Sequence, residues 1–200
     1  MTVTFPLKAG ASLRVMPHLP SMLVISRFSP EEWTAYRDLR LRALAESPDA
    51  FGSTLAQERE RPDPEWERRL AAGVSSALDL PLLARLDARH AGLAWCRITP
   101  DSQHATRKAA LYQVWTAPDC RGHGVGKGMV ETSIAWARNN GAQGIALAVT
   151  CGETPARRLY ERLGFKAVGE PQRMRPDAEL MEQSMWLEFG QEAGSGKELP

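Results

Sequence analysis

The chain has few cysteines, no long apolar run and almost no excess of charge. Only three of its 200 residues are cysteine, Cys96, Cys120 and Cys151, and no two of them form a Cys-x-x-Cys pair. This spacing argues against a zinc site or a disulfide framework, and the odd count favours a reducing compartment. Because no apolar run is long enough for a signal-peptide core or a membrane span, we expect a cytoplasmic protein with no membrane contact.

Charge and composition describe an ordinary soluble domain. Lys and Arg number 25 against 24 for Asp and Glu, so the net charge of +1 gives no reason to expect nucleic acid as a partner. Hydrophobic residues at 43% and charged residues at 24% exclude a mostly disordered or collagen-like chain. The length fits one domain.

Both ends of the chain differ from its middle. The apolar patches of the N-terminal end are interrupted by prolines and charged residues, and the C-terminal end has few apolar residues. Residues 1–21 are expected to be a flexible N-terminal extension, and Met16 and Met22 are alternative start points for the native product. Residues 190–200 are expected to be a flexible tail, because they contain Gly and Glu with little apolar content. Residues 22–189 are then a single domain.

Within that domain, helical and strand patterns alternate. Strands are predicted at Leu23–Ile25, Pro81–Leu86, Ala91–Ile98, Ala109–Thr116, Ile145–Val149, Phe165–Val168 and Ser184–Phe189. Helices are predicted from Ser29 to about Ser47, after Asp63, from Gly124 to Asn139, and from Thr154 to Gly164. The polar stretch Thr99 to Lys108 is predicted to be a loop. This order indicates an α+β or α/β sheet protein with a parallel crossover in its second half.

A glycine-rich segment, Thr116 to Gly128, lies between a predicted strand and a predicted helix. Closely spaced glycines at such a turn let backbone N–H groups approach an anion, and the helix dipole adds to the attraction. Arg121 and Lys127 supply positive charge, so we predict a phosphate or pyrophosphate site. The alternative is a turn that is only tight. The spacing excludes a Walker A loop, and the late position in the chain disfavours a Rossmann fingerprint.

A second segment, Glu153 to Phe165, predicts an amphipathic helix. Ala156, Leu159, Tyr160 and Leu163 share one face of it, and only Tyr160 among them has a proton to give. Helix position alone favours the alternative that the Tyr160 ring packs in the core, with its hydroxyl bonded to a neighbour.

Together the two segments resemble the GCN5-related N-acetyltransferase family. The first carries Arg-x-x-Gly-x-Gly at Arg121, Gly124 and Gly126, and the second carries Ala156, Leu159, Tyr160, Gly164 and Phe165 in the family's spacing. The resemblance covers roughly residues 23 to 189. It implies an α/β/α sandwich with a mixed, mostly antiparallel central sheet whose strands splay apart, acetyl-CoA as co-substrate and no metal.

The resemblance also implies roles for particular residues. The loop made of Arg121, Gly122, His123, Gly124, Val125, Gly126 and Lys127 would hold the pyrophosphate of acetyl-CoA. The backbone at Val114, Trp115 and Thr116 would hold the pantetheine arm and the acetyl carbonyl. Tyr160 would protonate the departing thiolate, as a tyrosine of pKa about 10 can. The implied reaction is acetyl transfer to a primary amine of a small molecule or peptide, by a monomer or homodimer.

Three points bear on the rest of the site. Glu153 stands where the family often has Asn, which can bond to the cofactor. An ionised Glu cannot donate that hydrogen bond, so we do not assign it the contact. A base near the amine is the alternative role, and a solvated surface residue is the preferred interpretation. By the resemblance, the acceptor pocket is expected from roughly Pro48 to Pro62 and Pro171 to Met181. Glu58 and Glu60 there could attract a cationic amine, but they alternate with Arg59 and Arg61, and such a charge run is more typical of a solvated face. The tryptophans expected in the core are Trp33, Trp66, Trp95 and Trp136. The resemblance implies that Trp115 and Trp186 are nearer the cleft, where they could line the pocket.

Two other classes of protein remain open. One is a non-catalytic acyl-CoA-binding sensor or partner module, which the departure at Glu153 mildly favours. The other is a nucleotide- or phosphate-binding protein unrelated to acyl transfer.

Overall fold

The computed structural model describes residues 22–101, 106–176 and 178–190, which form eight strands and five α-helices. The strands are β1 (Leu23–Arg27), β2 (Asp79–Leu86), β3 (Arg89–Asp101), β4 (Thr106–Thr116), β5 (Gly144–Thr150), β6 (Lys166–Ala167), β7 (Gln172–Arg173) and β8 (Met181–Glu188). The helices are α1 (Trp33–Glu46), α2 (Leu55–Arg59), α3 (Asp63–Ser75), α4 (Val125–Asn139) and α5 (Pro155–Arg162). The predicted extension 1–21 and the predicted tail beyond residue 190 lie outside the described residues.

The strands form one mixed sheet in the order β1-β2-β3-β4-β5-β8-β6, with β7 paired to β8. Every neighbouring pair is antiparallel except β4 and β5, which are parallel and are joined by a crossover through α4. The expected mixed, mostly antiparallel sheet is therefore confirmed.

Helices cover both faces of this sheet. A Cβ added at Gly92 of β3 would meet Met129 and Val125 of α4, whereas Trp95 of β3 packs against Gly73 of α3. Successive residues of a strand point to opposite faces of the sheet, and residues 92 and 95 are an odd number of positions apart. The helices α3 and α4 therefore lie on opposite faces. This double cover explains the nearly continuous burial of β2.

Local signals set the helix ends as expected. At the start of the first helical segment, the Ser29 N–H donates to the Glu32 carboxylate at 2.8 Å, which completes a capping box. The Thr154 hydroxyl accepts from the Arg157 N–H at 3.1 Å and caps α5, with Pro155 in its first turn. Gly141, with φ +74°, follows the end of α4.

The prediction of a loop in the polar stretch Thr99 to Lys108 is wrong over most of its length. β3 continues to Asp101 and β4 begins at Thr106, with Thr99 opposite Lys108 and Pro100 opposite Arg107. Both faces of the hairpin are largely exposed there. Apolar alternation marks a strand only where one of its faces is buried, so the sequence carried no such signal. No helix within the described ranges is long and apolar enough to cross a bilayer.

Gly73 is required on α3 because the indole of Trp95 occupies the space of a side chain. An added Cβ would lie 2.2 Å from the Trp95 ring. Replacing an exposed helical glycine by alanine ordinarily gains about 1 kcal/mol. We expect Gly73→Ala instead to destabilise the protein by roughly 1–3 kcal/mol through overpacking, measured by urea unfolding. A variant more stable than the parent contradicts this packing.

Candidate active site

A cavity opens where β4 and β5 diverge. The two strands pair only at Ala109–Ile145 and Ala110–Ala146, and beyond these positions they separate. A cavity of about 850 Å³ lies in the gap, lined on one side by residues 110–114 and on the other by residues 146–150. Such a volume accommodates a ligand of drug-like size. The gap also leaves strand N–H and C=O groups of β4 without a strand partner on that side.

A β-bulge shapes the β4 wall. Gln113 has φ +57°, and the β3–β4 register shifts between Leu93 and Trp95. The Tyr36 hydroxyl donates to Oε1 of Gln113 at 3.1 Å and holds the bulge from the α1 side. Val114 lines the cavity after this bulge.

The expectation that Trp115 and Trp186 line the pocket with their rings is wrong. Trp115 is 4% exposed, and its indole N–H donates to the Glu46 carboxylate at 2.9 Å, away from the cavity. The Trp186 ring covers Gly144 on the neighbouring strand. Alternation along each strand turns these side chains away. The backbone role suggested for Trp115 stays a prediction. Trp66 and Trp95 are buried, and Trp33 and Trp136 pack half-buried against the core.

The glycine loop follows β4 directly and leads into α4. Gly122 and Gly124 have φ +82° and +79°, a conformation that other residues rarely adopt. The Gly128 N–H bonds to the Gly124 carbonyl at 2.9 Å. The preceding N–H groups, at residues 125–127, lie in the first turn, where a helix offers no acceptor. These donors and the helix dipole suit an anion.

The cations of the loop already have partners. The Arg121 guanidinium contacts the Glu46 carboxylate at 2.7 Å and the Thr116 carbonyl at 3.3 Å. Lys127 pairs with Glu131 at 2.7 Å. Hydrogen bonds from Ser47, Trp115 and Arg121 outweigh partial burial and lower the pKa of Glu46 to about 2. Near neutral pH this carboxylate is therefore charged and offsets Arg121, which leaves the backbone as the main attraction for an anion.

His123 lies inside the loop with its ring exposed. Nδ1 is 3.0 Å from the Arg121 carbonyl oxygen. Val125, the first helical residue, is buried, and a Cβ at Gly126 would approach the Thr116 hydroxyl at 3.4 Å. The loop therefore packs closely on the end of β4.

Tyr160 lies on α5 with its side chain in the wall of the same cavity. It is 6% exposed, and its ring lies 5.9 Å from the ring of Phe165 in a tilted arrangement. Burial raises the pKa of the Tyr160 hydroxyl to about 12. The ring is thus packed, and the phenol stays protonated at any physiological pH.

Part of the cavity wall is built from the first expected acceptor segment. Residues 50–53 line the cavity. The Arg175 guanidinium donates to the carbonyls of Pro48 at 3.2 Å and Phe51 at 2.9 Å, and the Thr150 hydroxyl donates to the Asp49 carbonyl at 2.6 Å. Of the second expected segment, 171–181, no described residue lines the cavity, and β8 contributes Glu182 and Ser184 instead.

The expectation of a solvated face at Glu58 is wrong. Glu58 is 3% exposed and lies among the guanidinium groups of Arg40, Arg61 and Arg69. Arg61 lies three residues further along the chain, whereas only the fold brings Arg40 of α1 and Arg69 of α3 to this carboxylate. Glu60 is exposed, as expected.

Two carboxylates that the sequence did not single out also line the cavity. Asp79 accepts from the Trp95 indole and the Arg97 guanidinium, each at 2.7 Å, and these bonds outweigh burial and lower its pKa. Burial raises the pKa of Glu182. Glu153, by contrast, is 81% exposed and lies 3.9 Å from Arg158, outside the cavity. The described residues contain no cluster of three metal-ligating side chains.

Comparison with known proteins gives the class to which this fold and cleft belong. Residues 33–165 match the sequence model of the Acetyltransferase (GNAT) family. An acetyltransferase of that family from Streptococcus pneumoniae superimposes with a TM-score of 0.71 at 20% identity, covering 84% of this chain and 100% of its own. The yncA protein of Salmonella typhimurium, solved with its cofactor acetyl-CoA, gives 0.67 at 16% identity, covering 84% and 94%. The chain belongs to the Acetyltransferase (GNAT) family.

Curated relatives at higher identity are mycothiol acetyltransferases. That of Brachybacterium faecium is 32% identical over 146 residues, or 72% of this chain and 40% of the relative. That of Salinispora arenicola is 31% identical over 154 residues, or 74% and 46%. The chain spans less than half the length of these relatives.

Proposed function

We propose that the protein transfers the acetyl group of acetyl-CoA to a primary amine of a small molecule or peptide. The observation that carries this proposal is the cavity between β4 and β5, with Tyr160 in its wall. Relatives named mycothiol acetyltransferase favour a small-molecule acceptor. We assign the activity to residues 22–189 as one domain.

In this proposal the chain holds acetyl-CoA mainly through its backbone. The N–H groups of the loop from Arg121 to Lys127 bind the pyrophosphate. The exposed, positively charged side chains of Arg121 and Lys127, at the two ends of the loop, add to the attraction. The unpaired edge of β4 from Val114 to Thr116 binds the pantetheine arm and donates to the acetyl oxygen. The acetyl-CoA bound by the Salmonella neighbour supports this choice of co-substrate. Bound there, acetyl-CoA supplies an acetyl group activated as a thioester.

Two side chains move protons. Tyr160 donates its phenolic proton toward the sulfur as the C–S bond breaks, because it is protonated throughout the working pH range. Glu182, in the same cavity and half-buried, takes the proton that the attacking amine must lose. The strand N–H groups stabilise the negative charge that develops on the acetyl oxygen.

Ligand binding and turnover test this function separately. Acetyl-CoA at a hundred times its dissociation constant is expected to stabilise the protein by about 2.7 kcal/mol, seen as a thermal shift. Amines presented with acetyl-CoA are expected to release free CoA thiol. Stabilisation by acetyl-CoA without turnover on any amine indicates a non-catalytic acyl-CoA-binding module. Stabilisation by ATP or NAD and not by acetyl-CoA overturns the proposal.

A pair of glycine variants tests the loop. Gly124 and Gly141 lie at opposite ends of α4 with φ +79° and +74°, and a Cβ at either meets nothing within 4 Å. Asn tolerates this conformation, so both substitutions to Asn cost similar backbone energy. We expect Gly124→Asn to raise the dissociation constant of acetyl-CoA about 10-fold, as a side chain displaces the pyrophosphate. Gly141→Asn is the matched control, and equal effects of the two contradict the loop's role.

A further inference from the structure

Part of the cavity wall carries an excess of positive charge. Arg40 and Arg69 both line it, and both approach Glu58, with Arg40 Nη2 at 3.8 Å and Arg69 Nη1 at 3.4 Å from its carboxylate oxygens. Arg61, the third arginine at Glu58, also pairs with Glu65. The two cavity arginines therefore share a single carboxylate, which leaves one positive charge in excess.

Neighbouring groups do not pair with these arginines. Arg97, which also lines the cavity, binds Asp79 at 2.7 Å, so that pair is neutral. Glu182 lines the same cavity, but among the described residues the only carboxylate within ion-pair distance of Arg40 or Arg69 is Glu58. Arg40 lies over the Phe51 ring with its guanidinium carbon 4.7 Å from the ring centroid, which supplies only a cation–π contact.

Arg40 also has unused hydrogen-bond donors. Its side chain is 3% exposed, and its Nε and Nη1 have no hydrogen-bond partner among the described residues. A buried guanidinium without acceptors is costly, and such groups call for a partner that binds them. Arg69 is 32% exposed, so it presents donors to the cavity while Nη1 is held by Glu58.

We propose that Arg40 and Arg69 form an anion subsite for the acceptor, which is therefore an amine that carries a carboxylate. A carboxylate is planar and matches the two-pronged donors of a guanidinium. It carries a single charge at neutral pH, equal to the local excess, whereas a phosphate monoester carries nearly two. This inference rests on the proposed acetyl transfer and specifies its acceptor class.

The test compares acceptors that differ only in the anionic group. We would measure CoA release with β-alanine, γ-aminobutyrate and a panel of free amino acids, each against its own carboxamide. The amide has the less basic amine, so it would be the faster acceptor in a site indifferent to the carboxylate. We expect at least one acid to exceed its amide by about 10- to 100-fold in kcat/KM.

Adjacent arginines on α3 provide a matched pair of variants. Arg69→Met is expected to bring the acid-to-amide ratio close to one by raising KM for the acid. Arg68→Met, at an exposed neighbour, is expected to leave the ratio unchanged. Arg40→Met still leaves Glu58 with two arginines and is expected to reduce the ratio without lowering the melting temperature. A loss of folding alone would lower CoA release with the acid and with the amide by the same factor.

The outcomes separate the inference from the function on which it rests. CoA release that is equal for acids and amides, or faster for amides, overturns the anion subsite and leaves acetyl transfer standing. Faster release with phosphoethanolamine than with any acid overturns the assignment of a carboxylate acceptor. As a readout without turnover, N-acetyl-β-alanine is expected to raise the melting temperature in the presence of CoA, and its amide is not. That selective shift, absent in Arg69→Met, supports the subsite even where no amine releases CoA, and its absence from the parent protein overturns it.

Discussion

Replacing Tyr160 by Phe is expected to lower kcat for acetyl transfer by about 100-fold or more, with little change in acetyl-CoA binding. The ring is packed against Phe165, so Phe keeps the core filled and removes only the hydroxyl. Proton donation by a positioned side chain contributes typically ~10²–10⁴-fold. Steady-state kinetics with a saturating acceptor measures kcat, and thermal shift measures acetyl-CoA binding.

The pH dependence of this effect is fixed by the environment of Tyr160. Burial raises its pKa to about 12, so the proton needed for donation is present at all pH values well below 12. Any loss of activity between pH 8 and 10 therefore belongs to another group and persists in Tyr160→Phe. Tyr112→Phe removes a phenol that is 53% exposed and lines the same cavity, so it shows whether losing any hydroxyl from this wall has the same effect. If Tyr160→Phe keeps the kcat of the parent protein, Tyr160 is excluded as the proton donor.

The fold was predictable where local chemistry decides it. A capping box, a proline in a first turn and a glycine after a last turn act within a few residues, so the bounds of α1, α4 and α5 followed from the sequence. The glycine loop is of the same kind, because positive φ at Gly122 and Gly124 is a property of the residue type. Family resemblance supplied the divergence of β4 and β5, which no local pattern encodes.

The part of the cavity wall proposed to bind the acceptor was not predictable in this way. Glu58 alternates with arginines along the chain, a pattern typical of a solvated face, and only the packing of α1, α2 and α3 buries it. Arg40 looks equally ordinary in sequence. Charged residues that meet only through tertiary packing form no periodic pattern in the sequence. The residues proposed to select the acceptor are of this kind, so the sequence did not predict them.

Glu182 was not predictable from the sequence either, since a single acidic residue on a polar strand does not indicate a functional site. We expect Glu182→Gln to lower kcat/KM for the acceptor by about 100-fold and to abolish the acid limb due to this carboxylate. Burial raises the pKa of Glu182, so its base form appears at a higher pH than that of an exposed glutamate, and activity falls as the pH drops through the raised pKa. The pH profile of kcat/KM is the measurement, and Glu179→Gln, exposed on the chain leading into β8, is the control.

Stability separates a catalytic role of Glu182 from a structural one. Because its pKa is raised in the folded state, ionisation opposes folding, and this cost grows as the pH rises from the unfolded pKa through the folded one. The neutral Gln avoids the cost, so Glu182→Gln is expected to melt no lower than the parent at pH 7. A less stable variant indicates a structural carboxylate. An unchanged kcat/KM with its acid limb intact excludes Glu182 as the base.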